Sequence, residues 1–563
     1  MSARELITKH LDLWTGAVTK KASSGRGSNG KVEPTGVKKL RELILNLAVR
    51  GKLVPQNSDE PTAASLLVDI EVKKKDLHHA KTIKKPKKVS PPQGDEIPWS
   101  LPSCWEWVRL PYIYYPISPS GKKLKSSETL ETGQFPVVDQ GQSYISGYTD
   151  DASLVIEIPH PVIVFGDHTT ARKYIDFNFV PGADGTKILC PILVNPRFFY
   201  LQLLGYDLEN RGYARHFKVL NENFFALPSL EEQHRIVQKV DELMGLCDRL
   251  EQQTSDQLEA HETLVDTLLG TLTQSENATE LADNWARLAA HFDTLFTTEQ
   301  SIDKLKQSIL QLAVMGRLVE QKRGKMDTKS LLNEIALCKN RLIDQGKQKK
   351  QKTLPPISEE EKTIPIPASW EWVRLQDVID VRDGTHDSPK SATGPDTYPL
   401  VTSKDFRDGQ IDFSNAKRIS EEDHRLISQR SLVEPDDILF SMIGGNIGNQ
   451  IIVNTSEKFS VKNVALFKYY DKTLTVPRFL KIFTEDLANS LQDQASGGAQ
   501  PFVSLGKLRS LPFPLAPVEE QHRIVQKVDE LMALCDQLKE RLNQASETRC
   551  QLAEAVVEGA LKA

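Results

Sequence analysis

Cysteine is scarce and scattered. Cys104, Cys190, Cys247, Cys338, Cys535 and Cys550 form neither a CxxC pair nor a Cys/His ligand spacing, so no structural metal is expected and a reducing, cytoplasmic setting is. Long apolar runs are missing too: no segment approaches the roughly 20 residues of a bilayer-spanning helix. The opening stretch MSARELITKHLDLW lacks the basic, apolar and small-residue order of a secretory signal, and no membrane partner is expected. Nor is there an excess of positive charge, since 71 Lys and Arg face 76 Asp and Glu for a formal charge of −5. Composition therefore lends nucleic-acid binding no support, although phosphate contact depends on where cations sit rather than on their sum. With 39% hydrophobic and 26% charged residues over 563 positions, the chain has enough apolar material for several packed domains.

What is present in abundance is repetition. EEQHRIVQKVDELM occurs unchanged at 231–244 and 519–532. LRELILNLAVRGKLVPQ at 40–56 returns as LKQSILQLAVMGRLVEQ at 305–321, and LPSCWEWVRL at 101–110 as IPASWEWVRL at 366–375. The last two pairs are offset by 265 residues and the first by 288, so the second half carries 23 extra residues between WEWVRL and EEQHRIV. That interval is also where similarity vanishes: VDQGQSYISGYTDD has no counterpart in VRDGTHDSPKSATG. A constant frame carries two different inserts.

The frame reads as helix. Ile236, Val240, Leu243, Cys247 and Leu250 alternate by four and three, and Leu264 and Leu268 resume after a polar middle at Thr254, Gln257 and His261. The second copy continues to Leu561 with apolar Leu552 and Val556. Segments 37–54 and 302–319 are amphipathic, with Gly51 as a C-cap. Lysine- and proline-containing stretches, KTIKKPKKVSPP and KQKKQKTLPPISEEEK, read as linkers. The inserts read as α/β: HPVIVFGD, TKILCPILV, DDILFSMIGG and NQIIVNT are strand-like, while PRFFYLQLLGY and VPRFLKIFTEDLANSLQDQ are helical.

In WEWVRL the tryptophans are expected to seat each insert on the frame, because large aromatics at a domain entrance usually pack. His234 and His522 have no nucleophile or ligand set beside them. There is no GxxxxGK[ST] phosphate loop, and SMIGGNIGNQ lacks the acidic partner of a dinucleotide site. NPRF at 195–198 departs at Arg197 from the Asn/Asp-Pro-Pro-aromatic motif of adenine methyltransferases. No catalytic residues are assigned. The polar loops are more suggestive, because Arg, Lys, Gln, Ser, Thr and His in loops supply the groups that read base edges and clamp phosphates. GDHTTARKY offers His168, Thr169, Thr170, Arg172 and Lys173; ENRGYARHFK offers Arg211, Tyr213, Arg215 and His216. In the second insert Ser403, Lys404, Arg407, Gln500, Lys507 and Arg509 are the candidates.

Two unlike inserts, each followed by LPSLEEQHRIVQKVDELM or LAPVEEQHRIVQKVDELM and a long helix, with a GKLVPQ-type helix end and a WEWVRL entrance, resemble the specificity subunit of bacterial type I restriction-modification enzymes over essentially the full length. The resemblance implies two globular α/β target recognition domains held apart by long antiparallel coiled-coil helices, with a pseudo-two-fold internal repeat. It implies a non-catalytic reader of double-stranded DNA, each domain taking half of a bipartite asymmetric target. Two methyltransferase subunits, which bind S-adenosylmethionine and methylate adenine N6, and two restriction subunits using ATP and Mg would be the partners, with no cofactor in this chain. Glu231, Gln233, Arg235, Glu519, Gln521 and Arg523 are the expected methyltransferase-docking residues.

The expected domains are a helical frame segment at 1–60, a linker at 61–98, recognition domains at 99–228 and 366–516, a spacer at 229–338, a linker at 339–365 and a spacer helix at 517–563. A coiled-coil scaffold with protein-binding inserts is the rival reading that the negative charge favours. A single-chain restriction enzyme is a second, contradicted by the missing catalytic motifs.

Overall fold

The helix that opens the first repeat, α1 (Thr35–Val49), turns over at a glycine for two reasons at once. In the computed structural model, which describes residues 7–20, 32–85, 92, 96–119, 121–183, 185–208, 215–276, 278–322, 324–407, 409–493 and 502–562, Gly51 takes φ +69°. Lys52 N–H donates to Leu47 O at 2.9 Å, closing the helix end. A Cβ on Gly51 would lie 2.6 Å from Pro102 Cγ and 3.1 Å from Trp105 Cε2, so the absent side chain also makes room for the WEWVRL entrance. Gly316, at φ +66° against Pro367 and Trp370, repeats the arrangement. Trp105 and Trp370 are buried, in the packing role expected of them.

The chain divides into two units, residues 1–259 with 544–563, and residues 260–543. In the first, α1 is followed by α2 (Ala63–His79), which occupies much of the stretch read as linker. Its lysines mislead: Ala63, Leu66 and Ile70 form a buried stripe, and Lys74 lays its ammonium 3.6 Å from the Tyr112 ring centroid. Then come β1 (Glu106–Arg109), β2 (Tyr114–Ile117), β3 (Phe135–Val138), β4 (Gly147–Thr149), β5 (Val162–Gly166), β6 (Arg172–Ile175), β7 (Val180–Pro181) and β8 (Thr186–Pro191). Helices α3 (Pro196–Leu204) and α4 (His216–Asn221), strand β9 (Phe224–Leu227) and the 45-residue α5 (Leu230–Gln274) complete the order. The sheets are an antiparallel β2-β8-β5-β6, a β4-β3-β7 set in which β3 and β7 run parallel, and the pair β9-β1.

The second unit repeats this order: α6 (Glu299–Val314), α7 (Thr328–Asp344), β10 (Glu371–Arg374), β11 (Ile379–Asp383), β12 (Thr397–Val401), β13 (Lys417–Ser420), α8 (Glu421–Ser431), β14 (Ile438–Ser441), β15 (Gln450–Ile452), β16 (Ser460–Val461) and β17 (Val464–Tyr469). Helices α9 (Pro477–Asp493) and α10 (Leu505–Ser510), strand β18 (Pro512–Leu515) and α11 (Val518–Lys562, again 45 residues) follow. Its sheets are β11-β17-β14-β15, β13-β12-β16 with β12 parallel to β16, and β10-β18. Inserts that share no recognisable sequence therefore share one topology. The longer insert adds α8 and a short hairpin, Phe406–Arg407 with Gln410–Ile411.

Each long helix starts in one unit and ends in the other. In the first unit α1 packs beside the front of α5 and the tail of α11: Arg41 pairs with Asp248 (2.7 Å) and Glu251 (2.9 Å), Lys39 reaches Glu554 at 3.5 Å, and Ala553 and Val557 enter the core. In the second, α6 does the same with the front of α11 and the tail of α5: Lys306 pairs with Asp536, Lys304 with Glu262 (2.9 Å) and Asp266 (2.7 Å), and Val265, Leu269 and Leu272 enter the core. Asp248 and Asp536, and Asp266 and Glu554, are equivalent positions 288 residues apart.

The seam differs from the expected one at this point. Ile236, Val240, Leu243 and Cys247 are buried as expected, but Leu264 and Leu552 are exposed, and Val265 and Ala553 beside them are buried instead. The reason is a change of surroundings: past the polar middle the helix packs in the other unit, against α6 rather than α1, and the buried stripe shifts accordingly.

Candidate nucleic-acid interface

Strand pairing brings the polar loops of each unit to one rim. In the first unit β3 and β7 end together, Gly182 N–H donating to Val138 O at 2.9 Å, and the turn into β8 meets the end of β5, where Asp167 N–H donates to Gly185 O at 2.8 Å. Ala183 N–H donates to Leu124 O (2.7 Å), bringing in the loop after β2, and His216 N–H donates to Asp167 O (2.8 Å), bringing in the start of α4. The second unit repeats three of these four bonds: Lys462 N–H to Val401 O (2.9 Å), Asn463 N–H to Thr385 O (3.1 Å), and Val503 N–H, just before α10, to Met442 O (2.9 Å).

The candidate residues separate here into those that build the rim and those that face away from it. Thr169 Oγ1 donates to Gln140 O, and His168 N–H to Gln140 Oε1 at 3.1 Å. Thr170 lies in the left-handed region at φ +58°. Arg172 donates to the carbonyls of Leu204 (3.1 Å) and Tyr206 (2.9 Å), and burial pulls its pKa down. Lys173, 4% exposed, donates to Asp139 O at 2.8 Å; burial lowers its pKa against the pull of the Asp139 carboxylate. His216 is buried with Nδ1 2.9 Å from Asp167 O, and Arg509 donates twice to Val381 O, at 3.1 and 2.7 Å.

Arg172, Lys173, His216 and Arg509 thus turn donors inward. Arg172, His216 and Arg509 engage backbone carbonyls, and Lys173 a carbonyl and the Asp139 carboxylate, where loops leave strands, so these contacts brace the rim from within. Arg215, Lys404, Arg407 and Lys507 are exposed, Arg407 3.3 Å from Asp412, and Ser403 is half-buried in the turn after β12. Arg211, Tyr213 and Gln500 lie outside the described residues. Sequence reading passed over the loop after β11, DGTHDS, whose signal is a glycine among polar residues at a strand end.

The repeated helix start is also partly internal. Gln233 is fully buried, its Oε1 accepting from Asn195 N–H at 2.8 Å and its Nε2 donating to Pro228 O at 3.1 Å. Gln521 does the same with Val476 N–H (2.9 Å) and Ala516 O (2.8 Å). Glu232 accepts from Gln56 Nε2 (2.6 Å) and Trp105 Nε1 (2.9 Å), and burial raises its pKa; Glu520, beside Gln321 and Trp370, is raised for the same reason.

Arg235 forks onto Glu60 at 2.9 and 2.8 Å, whereas Arg523 donates to Glu519 O at 3.4 Å. Glu519 in turn accepts from Lys325 N–H at 3.3 Å, Lys325 standing where the first repeat has Glu60. Gln233 and Gln521 thus cannot present a docking surface, since both ends of each amide are satisfied inside their own unit. Among the residues outward on both copies is a stripe at four-residue spacing, His234, Gln238, Glu242 and Leu246, matched by His522, Gln526, Glu530 and Leu534.

Among the described residues no helix is long and apolar enough to cross a membrane, and no group of three or more His, Cys, Asp or Glu is arranged to hold a metal.

Comparison with known proteins adds the lineage. The family model for the type I restriction modification DNA specificity domain matches twice, over residues 114–260 and 367–547. The EcoAI type I restriction enzyme specificity subunit of Escherichia coli is 35% identical over all of both chains, and the EcoEI specificity subunit of the same organism 33% identical, also over all of both. Among solved structures, the HsdS subunit from Thermoanaerobacter tengcongensis aligns over 82% of this chain and 98% of its own, at 16% identity and a TM-score of 0.38. With more than half of its residues inside the family model and relatives matched from end to end, the chain belongs to the type I restriction-modification DNA specificity family.

Proposed function

We propose that this chain directs a type I restriction-modification complex to a bipartite, asymmetric DNA sequence, each unit reading one half. The observation that carries the reading is the pairing of one topology and one set of rim hydrogen bonds with two unrelated sets of rim side chains. A shared scaffold with different readers suits two half-sites of different sequence. Cations that face outward, Arg215 in the first unit and Lys404, Arg407 and Lys507 in the second, supply the attraction for phosphate that the net charge of −5 does not.

The outward stripes His234–Leu246 and His522–Leu534 are the proposed docking surfaces for two methyltransferase subunits, which would bring S-adenosylmethionine and modify adenine N6. Two restriction subunits with ATP and Mg would complete the assembly. In this scheme the chain itself holds none of these cofactors and performs no chemistry: it binds DNA and places partners.

Replacing residues 111–226 with the corresponding domain of a relative tests the scheme. Methylome sequencing of cells carrying the chimera and its methyltransferase should show one half of the target changed and the other retained. A change in both halves would mean that the units do not read independently.

A further inference from the structure

The loop after β11 is held more tightly than a solvent-facing turn requires. Gly384 N–H donates to Val464 O at 3.0 Å and Thr385 N–H to Val461 O at 2.9 Å, and a Cβ on Gly384 would lie 2.7 Å from Val461 O. Asn463 N–H returns to Thr385 O from a left-handed conformation, φ +57°. Two side-chain ties follow, Lys462 Nζ to Ser388 Oγ and Lys417 Nζ to Pro389 O.

This bracing fixes a relay of side chains. Asp383, its side chain 9% exposed, accepts from Arg430 at 3.0 Å and from His386 Nε2 at 2.7 Å. The His386 ring, 59% exposed, sets Nδ1 3.2 Å from one end of the Asn463 carboxamide, whose oxygen and NH2 exchange places by a half-turn. The other end of the Asn463 carboxamide makes no hydrogen bond among the described residues and is open to water. A carboxylate orients an imidazole, and the imidazole orients an amide at the rim.

The first unit has the same crossing without the relay. There Ala183 N–H donates to Leu124 O where Asn463 N–H donates to Thr385 O, and the bridge Leu124–Gly182 matches Thr385–Lys462. Alanine replaces asparagine, and Lys125 follows Leu124 where His386 follows Thr385. The backbone is common and the side chains are not, as a determinant of sequence preference requires. Asp387, exposed in the same loop, repels phosphate, so the loop suits base edges rather than the DNA backbone, with Lys462, Lys417 and Arg430 flanking it.

We infer that Asn463 reads a base edge in the half-site of the second unit, with His386 and Asp383 as the positioning residues that aim its amide. The inference rests on the DNA-reading function proposed above. An amide held in a fixed position loses little rotamer freedom on binding, and its free end meets a complementary donor or acceptor on a base edge in the major groove.

The test uses the full chain assembled with its methyltransferase, and DNA duplexes carrying the mapped target with every single base-pair substitution. Asn463→Gly keeps the left-handed backbone and removes the amide. It should relax discrimination about tenfold or more at one or two positions of one half-site, with the other half unchanged and the melting midpoint retained. Asn463→Asp, which exchanges donors for an acceptor, should alter base preference at those same positions, and His386→Ala, which removes an exposed ring, should relax them too. An unaltered substitution profile in all three variants, or equal weakening on specific and random duplexes, would overturn the inference while leaving the proposed function standing. If the unmutated complex shows no preference for its mapped target, the proposed function itself fails.

Discussion

Asp486 and Gln233 show at the scale of single residues what burial does to polar groups. Asp486 on α9 accepts from Gln307 Nε2 on α6 at 3.1 Å, and burial pushes its pKa up to about 6 from 3.8. A carboxyl raised in the fold binds more protons than in the unfolded chain, so its contribution is most favourable below about pH 4 and is lost as pH rises toward about 6. Asp486→Asn keeps the acceptor and removes the charge. It should stabilise the protein at pH 7 by on the order of 2 kcal/mol and leave stability unchanged at pH 3.5, as read by denaturant unfolding at both pH values.

Gln233 poses the opposite case: Gln233→Ala strands Asn195 N–H and Pro228 O in the interior and should cost about 2 kcal/mol or more. Its exposed neighbour His234 should cost no more than ~0.5 kcal/mol as alanine, while weakening co-elution with the methyltransferase. Sequence could not separate the two, since both are identical in both copies and identity does not say which side of the helix is constrained. The bracing by Arg172 was hidden for a related reason: the carbonyls of Leu204 and Tyr206 that hold it are backbone atoms that no residue pattern announces.

At the scale of elements, each long helix contributes residues to both units. The stretch around Thr254 in α5, and its equivalent around Leu542 in α11, carry little buried surface. Four residues inserted at Thr254 add about 6 Å of helix and a net turn of roughly 40°. In α5 only, the insertion should lower the melting midpoint, because the tail of α5 is displaced from α6. Matched insertions in both helices should restore the midpoint and lengthen the preferred target spacer by one or two base pairs, at roughly 3.4 Å each. Methylation at the original spacing by the doubly extended chain would show that the helices do not set the distance.

The frame helices α1, α5, α6 and α11 were legible because the 3.6-residue period, the turning glycines and the acidic helix starts are all local signals, whereas α2 was read as linker. Of the insert strands, β5, β8, β14 and β15 were legible as apolar runs. Their common topology was not, since the parallel contacts β3–β7 and β12–β16 rest on two residue pairs each and join segments some forty to sixty residues apart.

For the molecule as a whole, the exchange of helix tails ties stability to both ends of the sequence. Removing residues 544–563 takes Ala553, Val557 and Glu554 away from the first unit, although 543 precedes the cut in the second. Limited proteolysis of that truncation should find the first unit cut rapidly and the second protected. The reverse pattern would deny the tail its role.

The same exchange orders events in time. During synthesis the second unit has all its parts once residue 543 has emerged, whereas the first, made earlier, waits for residues 544–563 to finish its core. The part of the chain that is translated first is therefore the last to close. A ribosome that stalls within the final helix releases a product whose first unit is unfinished, so completion of that unit marks a chain translated through residues 544–562.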